Sequence, residues 1–80
     1  MKTLTFSTDS FILATYLLSE GLEIIGQNTT DPKRITFVFE DSSQRKELTG
    51  KFLSYKALVE PHRFYSAMKD IKQMIHQNRQ

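Results

Sequence analysis

The 80-residue chain contains no cysteine and no tryptophan, three glycines and two prolines. Without cysteine there is no disulfide framework, no thiolate nucleophile and no Cys-ligated zinc, and nothing in the chain calls for an oxidising compartment. With so few glycines the chain has neither GxGxxG nor GxxxxGK[ST], so the common glycine-rich phosphate cradles are absent. The longest apolar-rich run, from Phe11 to Leu18, is far too short to span a bilayer, and MKTLTFSTDS lacks the continuous apolar core and small-residue cleavage site of a signal peptide. Low-complexity tracts and internal repeats are also missing. The expectation is a cytoplasmic protein that needs no cofactor and no metal and does not touch a membrane.

What remains is an ordinary globular composition, 39% hydrophobic and 25% charged, sized for one domain over residues 1–80. A domain this small buries only about 60% of the surface exposed by its unfolded chain, so oligomerisation would help it. The formal net charge of +2 hides an asymmetry: residues 1–40 hold three basic and five acidic side chains, residues 41–80 eight basic and four acidic. The positive charge belongs to the second half.

Along the chain, Leu4 and Phe6 alternate with Thr3, Thr5 and Ser7, predicting a short half-buried strand. The cluster Ser7-Thr8-Asp9-Ser10 offers a helix cap, and Phe11 to Leu18 surrounds most of the following helix with apolar groups until Gly21 ends it. Residues 22–26 read as a second strand, and the polar QNTTDPKR as a hairpin connection in which Pro32 suits a type I turn. The Asn28-Thr29-Thr30 sequon belongs to that turn chemistry. In residues 34–40, Ile35, Phe37 and Phe39 share one face while Thr36 and Val38 share the other, which places this strand at the centre of the sheet.

A second helix, capped by Asp41 or a following serine, carries Leu48 and Phe52 inward and is weakened by Gly50. Tyr55-Lys56-Ala57-Leu58-Val59 reads as a fourth, edge strand or as an extended connector. Pro61 opens the last helix, whose single apolar face holds Phe64, Ala67, Met68, Ile71, Met74 and Ile75. The predicted fold is α+β, β-α-β-β-α-(β)-α, with a small, mostly antiparallel sheet of order 2-3-1 covered by helices.

The segments FSTDSFILATYLLSEG, ITFVFEDSSQRKEL and EPHRFYSAMKDIKQMI together resemble a family of small uncharacterised bacterial and phage proteins, a domain of unknown function. The resemblance rests on a Thr-Asp cap, a Tyr-Leu-Leu helix ended by glycine, an FVFED strand end and a Lys-bearing last helix. It covers nearly the whole chain and implies one shared fold in a phage or mobile-element setting. No activity attaches to the family, so it implies no catalytic residue.

Glu40-Asp41 is the most catalytic-looking pair. Adjacent residues leaving a strand point to opposite faces, and no third acid and lysine stand at nuclease-type spacing, so a capping role for Asp41, with Gln44 as capping-box partner, asks for less. His62 and His76 lie about 21 Å apart on one helix, too far for a shared ion. The expectation is therefore no enzyme.

The last helix carries the positive hypothesis. His62, Tyr65, Lys69, Lys72, His76 and Arg79 gather opposite its apolar arc, as for phosphate contacts with a tyrosine to stack, and Arg45, Lys46, Lys51 and Lys56 would widen the patch if the fold brought them round. The expected function is a small non-enzymatic binding or accessory module, nucleic acid its first partner to test through Tyr65, Lys69, Lys72, His76 and Arg79. The alternative is a homodimeric interaction module using an unpaired edge strand with exposed Phe52 and Tyr55. Tyr16 is expected in the core with its hydroxyl at the surface.

Overall fold

The computed structural model describes residues 4–31 and 33–77, and Arg79 lies outside them. Six elements follow in order: β1 (Thr5–Thr8), α1 (Phe11–Ser19), β2 (Ile24–Asp31), β3 (Arg34–Glu40), α2 (Ser43–Leu53) and α3 (Pro61–Gln77). The sheet is antiparallel throughout, ordered β1-β3-β2, with Phe6 opposite Phe39 and Thr8 opposite Phe37. The most apolar strand therefore takes the centre, where both edges of its backbone find partners.

Phe37 and Phe39 are almost wholly buried, and Phe6, Ile24 and Ile35 pack with them against Leu13, Leu17, Leu48 and Ile71 of the helices. Val38, which points the other way, has no place in that core. The three helices thus share one face of the sheet, and the Ser7, Thr36 and Val38 face is uncovered; the molecule measures 36 × 36 × 19 Å. The apolar character of both faces of β3 had suggested cover on both sides. Alternation within its neighbours explains the difference, because Thr5 and Ser7 of β1 give the second face nothing apolar to bury.

Polar residues extend β2 further than expected. It runs to Asp31 rather than ending at Gly26, with register irregularities between Ile24 and Gly26 and between Asn28 and Asp31. The β-branched Thr29 and Thr30 fit an exposed edge strand, and Asn28 Oδ1 accepts hydrogen bonds from the Thr30 amide at 3.0 Å and the Thr30 hydroxyl at 2.6 Å. Asn28 does perform turn chemistry, inside the irregular end of a strand. Pro32 lies outside the described residues, so its turn does too.

α1 is buried nearly all round, as its composition demands, since the sheet lies beneath it and α2 and α3 both pack chiefly on it. Its cap is Ser10, whose Oγ accepts the Leu13 amide at 3.1 Å, rather than the Thr-Asp pair before it. Its end is a Schellman motif: Leu22 N–H reaches Leu17 O, Gly21 N–H reaches Leu18 O, and Gly21 supplies φ +99°. The buried Thr15 and Ser19 hydroxyls donate back to Phe11 O and Tyr16 O, each at 2.7 Å. Tyr16 is 2% exposed and stacks on Phe52, ring centroids 6.2 Å apart. Phe52 is thereby an inward packing residue, as its place on the inner side of the second helix predicted, and not the exposed aromatic that the dimer alternative required. Burial raises the Tyr16 pKa, aided by the nearby Glu20 and Glu47 carboxylates.

No fourth strand forms among the described residues; residues 56–60 are an irregular connector between α2 and α3.

Candidate functional site

The Glu40-Asp41 pair is split by the strand end, as the alternation of side chains requires. Glu40 faces a shallow hollow of about 240 Å³ shared with Leu22, Glu23 and Ser42. Asp41 turns toward α2, where its Oδ1 accepts from Arg45 Nε at 2.8 Å, Arg45 Nη2 at 2.7 Å and the Ser42 amide at 2.9 Å. Ser42, not Asp41, is the cap of α2, accepting the Arg45 amide at 3.1 Å; the third helical position holds Arg45, so no Gln44 capping box forms. The reason is one of register: with Ser42 extended at the boundary, Asp41 sits one residue too early to reach the third amide and meets the Arg45 guanidinium instead. That guanidinium holds the Asp41 carboxyl below the usual carboxylate range.

Arg45 is a structural cation in every direction. Its guanidinium carbon lies 4.0 Å from the centre of the Phe6 ring, and its Nη1 donates to Thr49 Oγ1 at 3.4 Å. The other described arginines are also engaged: Arg34 pairs with Asp9 at 3.1 Å, and Arg63 Nη2 donates to Ser19 O at 2.9 Å, placing a cation at the carbonyl end of α1. Lys51 pairs with Glu47 at 3.7 Å. Glu60 caps α3, its Oε2 accepting the Arg63 amide at 2.7 Å and its Oε1 lying 3.0 Å from His62 Nδ1. That backbone amide, with His62 second, lowers the Glu60 pKa. No group of three or more His, Cys, Asp or Glu side chains capable of holding a metal occurs among the described residues.

Against this pairing, the outer face of α3 stands apart. Ala67 and Ile71 are buried with Phe64, Met68, Met74 and Ile75 half-buried beside them, so the helix docks through the arc read from its sequence. His62, Tyr65, Lys69, Lys72 and His76 are exposed on the opposite side. Lys69 Nζ lies 5.3 Å from the Tyr65 ring centre, which leaves the tyrosine 61% exposed with one ring face shared. Neither Lys69 nor Lys72 has a carboxylate partner among the described residues. The patch is not widened by α2, because α1 lies between the two helices and Arg45 is spent on β1 and Asp41.

A second exposed surface was half-visible in the sequence. Leu53 is 70% exposed at the end of α2, and Tyr55 97%, Leu58 86% and Val59 42% on the connection from α2 to α3. Tyr55 was singled out as an aromatic; the leucines carry no signal beyond standing outside both helices' inward arcs. Tyr55 also has φ +61°, an unusual backbone setting for a side chain of its size.

No described helix is long and apolar enough to cross a membrane. No curated protein and no solved structure matches the chain. A family described as a domain of unknown function, DUF5659, matches residues 3–77.

Proposed function

The chain belongs to the DUF5659 family, and on that premise we propose that it is a cytoplasmic, non-catalytic binding module that engages nucleic-acid phosphates through the outer face of α3. The observation that carries this reading is the sorting of charge. Each described arginine is committed to a carboxylate or a helix carbonyl, whereas Lys69 and Lys72, one turn apart, point outward without a carboxylate. An ammonium kept from an acidic partner is available for a phosphate, and His76 adds charge to the same face when protonated. Tyr65, already against Lys69, presents its exposed ring to a base or sugar.

The non-catalytic part of the reading is supported by how the carboxylates are used. Asp9, Asp41, Glu47 and Glu60 each hold a cation or a helix amide, which commits these four of the nine acids to structural roles rather than to proton transfer.

Fluorescence polarisation with a labelled oligonucleotide tests the proposal. Binding should weaken steeply with salt, and the Lys69→Ala/Lys72→Ala double variant should bind more weakly with a log–log salt slope lower by about 2. Absence of binding at low salt, or a slope unchanged by the double variant, removes the α3 reading.

A further inference from the structure

Residues 56–60 join two helices without pairing to anything. Lys56 N–H closes the end of α2 on Lys51 O, and Glu60 O accepts the first amide bond of α3 from Phe64. Between them the amides of Ala57, Leu58 and Val59 donate to no group among the described residues, and their carbonyls accept from none. Along the stretch Ala57 is half-buried against the core, while Lys56, Leu58 (86%), Val59 (42%) and Glu60 are exposed. Ala57 turned inward beside Leu58 turned outward suits an extended chain, and Pro61 favours extended backbone in the residue before it. The segment is an irregular connector whose unpaired backbone and exposed apolar side chains could take a strand partner, as an uncovered sheet edge does.

We propose that this edge pairs with the same edge of a second copy of the chain, antiparallel about a two-fold axis at Leu58. The sequence is complementary to itself in this register and independent of the α3 proposal. Leu58 meets its own copy, Ala57 meets Val59, and Lys56 meets Glu60, each as directly opposed cross-strand pairs on a common face. Opposite charges at equal distances on either side of a central leucine are what an isologous contact requires, since residue i must suit residue j both ways. Glu60 keeps its negative charge in this setting, because the Arg63 amide and His62 already stabilise its carboxylate.

The ladder is bounded by Lys56, whose N–H closes α2, and by Pro61, which has no amide to donate, so the opposed stretch is five residues with hydrogen bonds only at Ala57 and Val59. That length alone is marginal for a stable sheet edge. Tyr55 and Leu53 extend the contact. Tyr55 falls opposite Pro61 of the second copy, and its left-handed backbone, fixed by the closing turn of α2, holds the ring outward at full exposure before any partner arrives. A rigid aromatic at the end of a short ladder supplies area at low entropic cost. Because the buried surface stays at the small end for specific interfaces, self-association in the micromolar range is expected.

Sedimentation equilibrium of the full chain, without nucleic acid, at up to about 100 μM tests this, well above the expected micromolar dissociation constant. The expected mass at the top of that range is twice the 9.3 kDa of one chain. Leu58→Lys should weaken association by about tenfold or more with an unchanged circular dichroism melt, because its side chain touches little in the monomer. Lys56→Glu should also weaken it by setting two acids opposite each other. Amide exchange supplies the register. Because Lys56 N–H and Glu60 O are already engaged in α2 and α3, a pair centred on Leu58 protects Ala57 and Val59 together, and only at dimer-forming concentrations. A monomer throughout the range overturns the proposal, as does a dimer indifferent to Leu58→Lys or protected elsewhere than residues 56–60.

Discussion

Two helix ends in this chain use the same hydrogen bonds with different residues at the left-handed position. α1 ends on Gly21 and α2 on Tyr55; in the second, Lys56 N–H reaches Lys51 O and Tyr55 N–H reaches Phe52 O. A side chain with Cβ in that region costs about 1–2 kcal/mol, and Tyr55 regains nothing by packing, since it is 97% exposed. Tyr55→Gly should therefore raise stability by roughly 1 kcal/mol in urea denaturation of the monomer, after the extra entropy of an unfolded glycine is set against the relieved strain. Gly21→Ala should do the reverse by a similar amount of roughly 1 kcal/mol through strain alone, because a methyl there meets nothing within 4 Å. Asp41 makes a residue-scale prediction about pH. Its folded pKa is depressed, so its contribution is complete above the unfolded carboxylate value of about 4 and is lost as pH falls through the lower folded value. Asp41→Asn should lower stability at neutral pH and flatten the acid side of a stability–pH curve measured by urea titration at successive pH values.

At the scale of elements, what could be read from the sequence was whatever local chemistry decides. β3 was visible from its alternating aromatics, α3 from its apolar arc behind Pro61, and the end of α1 from Gly21, and each lies where the pattern put it. The extent of β2 was not visible, because QNTT has turn composition and is held in a strand only by the ladder that β3 offers across the sheet. The cap of α2 was ambiguous among three adjacent residues until the end of β3 fixed which one stood at the boundary. Within the candidate site, the exposure of His62, Tyr65, Lys69, Lys72 and His76 followed from helical periodicity, which is local. The removal of Arg45 from the basic surface did not, because its ring partner Phe6 lies 39 residues earlier in the chain and only tertiary structure joins them. The apolar connector was hidden for a related reason. Leu53, Leu58 and Val59 look like core residues in sequence, and only the placement of α2 and α3 on either side of α1 leaves them outside.

For the whole molecule, the decisive feature is a single core between one sheet face and one helical layer, in a body only 19 Å thick. Neighbouring residues of β3 therefore experience opposite surroundings. Phe37 is 2% exposed at the centre of the core, while Val38 faces the uncovered side of the sheet with Ser7 and Gly26 across from it. Truncating a buried phenylalanine typically costs about 3–5 kcal/mol, and a chain of this size has roughly 4–12 kcal/mol in total. Phe37→Ala should then remove much of the stability, seen as a large drop in the urea midpoint at pH 7. Val38→Thr keeps the β-branched shape and gives its hydroxyl to solvent, so it should shift the same midpoint by less than about 1 kcal/mol. If helices covered both faces of the sheet, the two substitutions would both be costly, because a hydroxyl at Val38 would be buried without a partner. Equal and large losses at the two positions would mean that the Val38 face is covered in solution, and by something other than α1, α2 or α3, whose apolar sides are already committed to Phe37 and Phe39.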